Sequence, residues 1–303
     1  MRICVVGCGA IGSLFAAHLG RLPEAEVWVF DVAEAQVRAI NDGGLRLAGT
    51  GPVTSRVRAR TDSGDIPPCQ LGIVATKSRP TGSAMAATAQ VFTDAAVCSV
   101  QNGVGNEEII ARHVPRVIRG TTIVAGRLPA PGVVHLDAPG DTWIGPFEPK
   151  PASMDEVRQL AGLLTRSGLR TIALTDSRGA QWTKLIFNAA TSPVAALTGL
   201  TMGQLGDAAE ARQLISGLAA EGCAVAAALG ITLDDDPMAL IDAAVTHARG
   251  HQPSMLQDAL ARRRTEIDVL NGGIVRAARE TGVPTPLNQA VVALIDGLER
   301  SWT

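Results

Sequence analysis

Short apolar runs rich in β-branched residues recur through the first half of the chain, at Arg2–Val6, Glu26–Phe30, Gln70–Ala75 and Ala96–Val100. Runs of about five or six residues bounded by turn formers predict buried strands. Between the first two, the apolar positions from Ile11 to Leu19 keep helical spacing. Strand, helix and strand within about 30 residues make a βαβ unit, which requires a parallel pair and a right-handed crossover. Shorter strands are predicted at Thr121–Ala125, Gly132–Asp137, Thr142–Ile144 and Arg170–Leu174. Pro129-Ala130-Pro131-Gly132 and Pro149-Lys150-Pro151 punctuate them, and the pattern reads as an antiparallel annex on a parallel sheet.

After Thr175 the spacing changes. Asp176–Ala190, Asp207–Leu229, Pro237–Arg249, Ser254–Thr281 and Pro286–Arg300 all carry helical periodicity. Asp176, Asp207 and Ser254 stand where N-caps belong, and Gly230 and Gly282 where left-handed stops belong. The expected domains are therefore residues 1–175, α/β, and residues 176–303, all-helical.

Length agrees with two domains, since 303 residues at roughly 150 per domain gives about two. With 27 basic against 29 acidic residues, the net charge of -2 removes the basic footprint of a nucleic-acid binder and a polybasic membrane surface. The mean hydropathy of +0.19 directs attention to the longest apolar stretches. Leu214–Leu233 holds Glu221 near its middle and Asn188–Gly203 is broken by Pro193, so both read as buried helices and no membrane partner is expected. The cysteines, Cys4, Cys8, Cys69, Cys98 and Cys223, are odd in number and lack CxxC spacing. That usage points to a reducing compartment, and the apolar run at the start is too short for a secretory segment. The expected location is cytoplasmic.

Gly7-Cys8-Gly9-Ala10-Ile11-Gly12 directly follows the first strand and opens the first helix. In that setting GxGxxG is a dinucleotide loop: Gly7 permits the tight turn, Gly9 lets a pyrophosphate approach, and Gly12 lets the helix press on the sheet. The helix N-terminus offers N–H groups and a partial positive charge to the phosphates. Asp31 closes the second strand 19 positions after Gly12. A carboxylate there accepts from the adenosine ribose hydroxyls and favours NAD, whereas a 2′-phosphate calls for arginine. Arg38 is the nearest arginine downstream, which leaves NADP disfavoured. The other role open to Asp31 is to cap the following helix, Val32 to Ile40. The fold class expected is a Rossmann-type, doubly wound, mostly parallel sheet followed by the helical domain.

Further motifs extend the pattern. Thr76-Lys77 follows the strand at Ile73–Ala75, and Gln101-Asn102-Gly103-Val104-Gly105 follows the next strand. Trp182-x-Lys184-x-x-x-Asn188 begins the helical half. Ser254-Met255-Leu256-Gln257-Asp258 is followed by Thr265-Glu266-Ile267-Asp268 and Asn271-Gly272. Over nearly the whole chain these pieces resemble the ketopantoate reductase (2-dehydropantoate 2-reductase) family. The resemblance implies a cofactor loop at Gly7 to Gly12 and cofactor contacts at Lys77, Asn102 and Gly126. It implies a catalytic lysine at Lys184, an active-site or cofactor-ribose acid at Glu266, and substrate contacts at Asn102, Asn188, Ser192 and Ser254. The sequence departs from the family at Ser192 and Met202, where asparagine is typical, and at Asp31, where NADPH-using members carry arginine. A less polar pocket follows from the first two departures.

Lys184 carries weight on its own chemistry. Lysine occurs only at positions 77, 150 and 184, in a chain that otherwise takes arginine. Reduction of a ketone leaves a developing alkoxide, and an ammonium can give it a proton, which a guanidinium cannot. The competing reading is a snorkelling surface lysine, although Trp182, Leu185, Ile186 and Phe187 leave little wet face. Asn188, four positions on, shares its helix face. Glu266, expected mid-helix after Arg262-Arg263-Arg264, could otherwise form a surface ion pair, and Ser254 an N-cap. His247 and His251 are four apart but flanked by Gly250 and Pro253, and no metal is expected.

The expected activity is hydride transfer from the reduced nicotinamide cofactor, NADH or secondarily NADPH, to ketopantoate or a related 2-oxo acid, with Lys184 as proton donor. Two alternatives stand beside it: a dehydrogenase of a less polar 2-oxo or 2-hydroxy acid, and a non-catalytic dinucleotide sensor. A sensor has no need of Lys184, Glu266 or the Ser254 motif. The partner is a small-molecule 2-oxo acid. Apolar faces on several C-terminal helices are compatible with a homodimer or with packing inside the domain.

Overall fold

The glycine loop sits where the first strand hands over to the first helix, and the computed structural model, which describes residues 1–49 and 52–302, builds outward from that βαβ unit. Its strands are β1 (Arg2–Val6), β2 (Glu26–Phe30), β3 (Leu45–Ala48), β4 (Val53–Ser55), β5 (Val57–Arg60), β6 (Leu71–Val74), β7 (Ala96–Ser99), β8 (Arg116–Thr122), β9 (Ala125–Ala130), β10 (Val133–Ala138), β11 (Thr142–Pro146) and β12 (Thr171–Ala173). Among them run helices α1 (Ala10–Leu19), α2 (Glu34–Gly43), α3 (Thr81–Thr88), α4 (Asn106–Ile110) and α5 (Met154–Ser167). The helices that follow are α6 (Arg178–Thr198), α7 (Met202–Asp207), α8 (Ala209–Ala228), α9 (Pro237–His247), α10 (Ser254–Leu260), α11 (Asn271–Thr281) and α12 (Pro286–Arg300). The chain divides into two compact units: Met1–Gln101 with Asn106–Ser177, and the part from Arg178 onward with Asn102–Gly105. A single boundary near 175 does not anticipate that the Asn102–Gly105 segment packs with the second unit.

In the first unit an eight-stranded sheet has the order β12-β11-β8-β7-β6-β1-β2-β5. From β5 to β8 every neighbouring pair is parallel. The expected annex is only partly antiparallel. β11 runs antiparallel to β8 at the edge of the main sheet, but β12 is parallel to β11. The other late strands, β9 and β10, form a separate four-stranded sheet of order β4-β3-β10-β9. Helix α1 packs on β1 and β2 and also on β3, β9 and β10, so it is buried all round, every residue from Gly12 to Leu19 included, and only Ser13 and His18 among these are polar. Trp28, Phe30, Val74, Met85, Phe92 and Ile110 fill the opposite face of the sheet.

The second unit is built around α6, which packs against α8, α9, α10 and α12. The sequence pattern ends this helix at Ala190, yet it runs on to Thr198 through Pro193. Proline has no N–H for the carbonyl four residues back, which here is that of Ala189. The Asn271 amide supplies the missing donor, with Nδ2 at 2.8 Å from the Ala189 oxygen. Asn271 also donates to Asn288 Oδ1 at 2.9 Å, and Asn288 in turn meets Glu221 Oε2 at 2.7 Å. Glu221, the charge inside the apolar run of α8, accepts from the Leu287 and Asn288 N–H groups and so closes the N-terminus of α12. Asn271→Ala should lower stability by about 1–3 kcal/mol, the usual cost of a stranded buried polar group. In a Pro193→Ala background, where the helix can satisfy Ala189 itself, the loss should be smaller. Thermal unfolding of the four variants checks this, and equal losses in both backgrounds would disprove the pairing.

Two helical expectations need correction. Ser254–Thr281 is not one helix: α10 stops at Leu260, Arg262 takes a left-handed φ of 48°, and α11 starts at Asn271. Glu266 therefore lies in the connecting segment rather than mid-helix. The three proposed N-caps are also displaced. Ala208 and Pro253 occupy the cap positions of α8 and α10, and α6 starts at Arg178, two residues after Asp176. Asp207 instead pairs with Arg249 at 2.5 Å. Gly230 and Gly282 do take left-handed φ, 67° and 75°, at the ends of α8 and α11. Among the described residues no helix is long and apolar enough to cross a membrane.

Candidate active site

The glycine loop lies at the carboxyl ends of β2, β1 and β6, where the winding of the sheet reverses. Gly7 has a φ of 90°, and a Cβ on it would sit 2.7 Å from the Thr76 nitrogen, so the loop after β6 that carries Thr76 and the exposed Lys77 abuts it. A Cβ on Gly12 would lie 1.8 Å from the Gly7 oxygen. Gly9 differs from both: it is exposed, no atom lies within 4 Å of where its Cβ would be, and it heads α1 without a capping side chain. Bare backbone at an uncapped helix N-terminus, with open space over Gly9, is a cradle that fits a dinucleotide pyrophosphate. Ala10 and Ile11 form the first turn of α1 behind it. Cys8 turns inward, its Sγ 3.1 Å from Ser13 Oγ, and burial pushes its thiol up to about 11, so it offers the site only its backbone.

Asp31 is tied into this loop. Its Oδ2 accepts from the Cys8 N–H at 2.5 Å and its Oδ1 from the Ala33 N–H at 2.8 Å. It stands two residues before the N-cap of α2, Ala33, and is not that cap itself. Each carboxylate oxygen has a further lone pair for a ribose hydroxyl. Two buried glutamines brace the same edge: Gln36, which sequence reasoning missed, and Gln101, which it placed in a motif without a role. Gln36 donates to the Cys8 oxygen at 3.2 Å and accepts from Gly132 at 2.8 Å. Gln101 donates to the Thr76 oxygen at 3.0 Å and to Thr81 Oγ1 at 2.7 Å. Their signal in the sequence is slight, since a glutamine on a helix or at a strand end is ordinary. Gly126 lies on β9, where a Cβ would meet Leu14 and the His135 oxygen at 2.6 Å each, so packing alone requires glycine there.

The second unit assembles the ionisable cluster. Lys184 projects from α6, and its Nζ donates to Asn102 Oδ1 at 2.8 Å. The Asn102 Nδ2 donates to Glu266 Oε2 at 3.1 Å. This amide orientation is chemically forced, because an ammonium can only donate and a carboxylate only accept. Gly103, with φ 81°, lets the Asn102 segment approach, since a Cβ on it would lie 2.4 Å from the Val269 oxygen. Burial lowers Lys184 to about 8, against an opposing push from the Glu266 carboxylate. Lys150, another of the three lysines, donates to the Ala111 and Val114 carbonyls in the first unit.

Residues 184, 188 and 192 follow at helical intervals of four, so Lys184, Asn188 and Ser192 share one face of α6. Asn188 is half-buried and Ser192 fully buried. Ser254 is exposed at the start of α10, which packs on α6. Met202 belongs to the apolar core of this unit.

Family models fit both parts of the chain: "Ketopantoate reductase PanE/ApbA" over residues 3–149 and "Ketopantoate reductase PanE/ApbA C terminal" over residues 176–299. The chain belongs to the ketopantoate reductase family. A 2-dehydropantoate 2-reductase of Pyrococcus horikoshii is 33% identical over 300 residues, covering 99% of this chain and 98% of that protein. Another from Archaeoglobus fulgidus is 30% identical, covering 98% of each chain. Among solved structures, a PanE/ApbA family ketopantoate reductase from Ralstonia eutropha superposes with a TM-score of 0.90 at 29% identity, covering 100% of this chain and 99% of that one. D-mandelate dehydrogenase with NADH and anilino(oxo)acetate superposes at 0.91 and 27% identity, with the same coverage. The chain is thus an oxidoreductase of a family that uses nicotinamide cofactors.

Proposed function

We propose that this chain is a 2-dehydropantoate 2-reductase, adding hydride to the ketone carbon of ketopantoate and a proton from Lys184 to its oxygen. The observation that carries the reading is the hydrogen-bonded cluster of Lys184, Asn102 and Glu266 on the second unit. When bound, the reduced nicotinamide supplies the hydride. The residues suited to hold that cofactor are Gly7 to Gly12 through their backbone, with Asp31 and Lys77 beside them.

Lys184 acts at the ketone oxygen. As negative charge develops there, the ammonium donates a hydrogen bond and then the proton, which leaves a neutral amine and a 2-hydroxy acid. A midpoint of about 8 suits this work: at pH 7 the ammonium outnumbers the amine about ten to one, yet it is a stronger acid than an ordinary lysine. Glu266 keeps the proton on a buried amine that desolvation would strip, and Asn102 fixes where Nζ points. Asn188 and Ser192, on the lysine's helix face, and Ser254 are the side chains suited to the substrate's polar groups. A panel of 2-oxo acids, each assayed with NADH and with NADPH, tests the assignment. Ketopantoate should turn over best, and tight cofactor binding without turnover of any acid would favour the sensor instead.

Asp31 supports NAD as the preferred cofactor. A 2′-phosphate, with charge near -2, would meet the carboxylate at close range. At an effective dielectric near 20, two unit charges 4 Å apart cost about 4 kcal/mol, and solvent screening reduces this substantially. A remainder of about 1.4 kcal/mol is a tenfold preference. Arg60, whose carbonyl accepts from the Asp31 N–H, has its guanidinium over Trp28, 5.4 Å from the ring centroid. NADH should therefore exceed NADPH by about tenfold in kcat/KM, and Asp31→Arg should erase the difference. A wild type that favours NADPH would leave Asp31 with its loop-bracing role alone.

A further inference from the structure

Glu299 lies near the end of α12, far in sequence from every motif above, and its carboxylate is only 8% exposed. Its Oε1 accepts from both the N–H and the hydroxyl of Thr265, each at 2.8 Å. The Thr265 hydroxyl in turn accepts from the Ile267 N–H at 3.3 Å. The two residues flanking Glu266 are thereby fastened to one buried carboxylate. The segment has no helix to hold it, because α10 has ended and the left-handed Arg262 has turned the chain. Burial of a carboxylate is expensive unless its lone pairs are used, and Glu299 spends its on this segment.

We propose that Glu299 is a positioning residue for proton donation: through Thr265 it fixes Glu266, and through Glu266 and Asn102 it sets the place and charge of the Lys184 ammonium. The relay is continuous in the second unit. Glu299 holds Thr265, Glu266 follows it in the chain, Glu266 accepts from Asn102 at 3.1 Å, and Asn102 accepts from Lys184 at 2.8 Å. A carboxylate that shifts by about 1 Å would loosen both bonds of Asn102, and misplacements of that size are costly to catalysis.

Charged groups around this relay have assignments of their own. Arg264 Nη1 stands 3.8 Å from Glu299 Oε2 on the exposed side. Asp258 of α10 pairs with Arg263, and Glu221 of α8 closes α12. Glu266 is the carboxylate that raises Lys184 against its burial. Loss of its fixed position must therefore let the lysine titrate at lower pH.

The proposal rests on Lys184 as proton donor, so its test needs a readout independent of turnover. With lysine at only positions 77, 150 and 184, the full-length protein carrying 13Cε-labelled lysine gives three signals, and loss of one in Lys184→Met assigns it. The Lys184 titration should move to lower pH in Glu299→Ala and in Thr265→Val, and stay near the wild-type midpoint in Glu299→Gln, whose amide oxygen can still accept from Thr265. In the same variants kcat for ketone reduction should fall by about tenfold and recover in Glu299→Gln. The alkaline limb of the kcat/KM profile, which reports the free enzyme, should move down with the NMR midpoint. An unmoved Lys184 titration in Glu299→Ala, or in Thr265→Val should the first variant not fold, overturns the proposal. A midpoint that moves while the kcat/KM profile does not would uphold the positioning role and count against Lys184 as donor.

Discussion

Lys184→Ala is expected to lower kcat for reduction by roughly 10²–10⁴, the range for a lost general acid, with little change in cofactor affinity. The split follows from where the residue sits. Lys184 bonds to Asn102 in the second unit, whereas the glycine loop and Asp31 belong to the first. Lys184→Arg should fail almost as completely: it keeps the charge, but a guanidinium does not release its proton, and its planar fork does not reproduce a single bond to Asn102 Oδ1. The pH dependence has a definite sign. Reduction needs the ammonium, so kcat/KM, which reports the free enzyme, should hold below about 8 and fall above it as Lys184 deprotonates. Oxidation of the hydroxy acid needs the amine, so the reverse rate should rise through the same interval. Steady-state kinetics in both directions, beside fluorescence titration of NADH, checks both parts. A Lys184→Ala enzyme with more than half the wild-type kcat would remove the residue from the mechanism.

Gly12→Ala should damage both fold and cofactor binding, whereas Gly9→Ala should damage binding alone. At Gly12 a methyl group would be 1.8 Å from the Gly7 oxygen, which is backbone and cannot swing aside. Helix α1 must then move off the loop, at a cost of about 1–3 kcal/mol or more, as for other overpacked sites. At Gly9 nothing lies within 4 Å of the added carbon, so the protein alone should accept alanine. The methyl group would instead stand in the space where the pyrophosphate approaches. Thermal unfolding without cofactor, paired with NADH titration, separates these outcomes. A Gly9→Ala protein that binds NADH as the wild type does would show that the open space over Gly9 is not the phosphate approach.

The strands that carry the site were legible because they are buried on both faces and read as continuous apolar runs, as at Ile3–Val6. Strands β3, β4 and β5 gave no such signal, since Arg46, Thr54, Arg56 and Arg58 interrupt runs of at most four residues. Helix α5 was within reach of sequence reasoning but not read: Ser153 and Glu156 form a capping box, and Gly168 closes the helix with a φ of 102°. The break between α10 and α11 was harder. Local spacing from Ser254 to Thr281 favours a helix, and the interactions that oppose it, Thr265 with Glu299 and Asn271 with Ala189, come from distant parts of the chain.

Site residues divide along the same line. Lys184 stood out by its chemistry in a chain poor in lysine, and the Gly7–Gly12 loop by its register between strand and helix. The bond from Asn102 to Lys184 spans 82 positions, and no local pattern forecasts that a strand-end asparagine joins the helical unit. Glu299 was invisible for the same reason, because a glutamate near the end of a surface helix usually signifies only solubility.

Under the proposed function, hydride passes from a nicotinamide to the ketone carbon of a 2-oxo acid. The most direct test supplies NADH deuterated at the transferring position of the nicotinamide, with ketopantoate, and examines the product by mass spectrometry and NMR. The expected product is a 2-hydroxy acid carrying one deuterium on the former ketone carbon, formed by the wild type and roughly 10²–10⁴ times more slowly by Lys184→Ala. No product, or a product whose carbinol hydrogen comes from solvent, would contradict it.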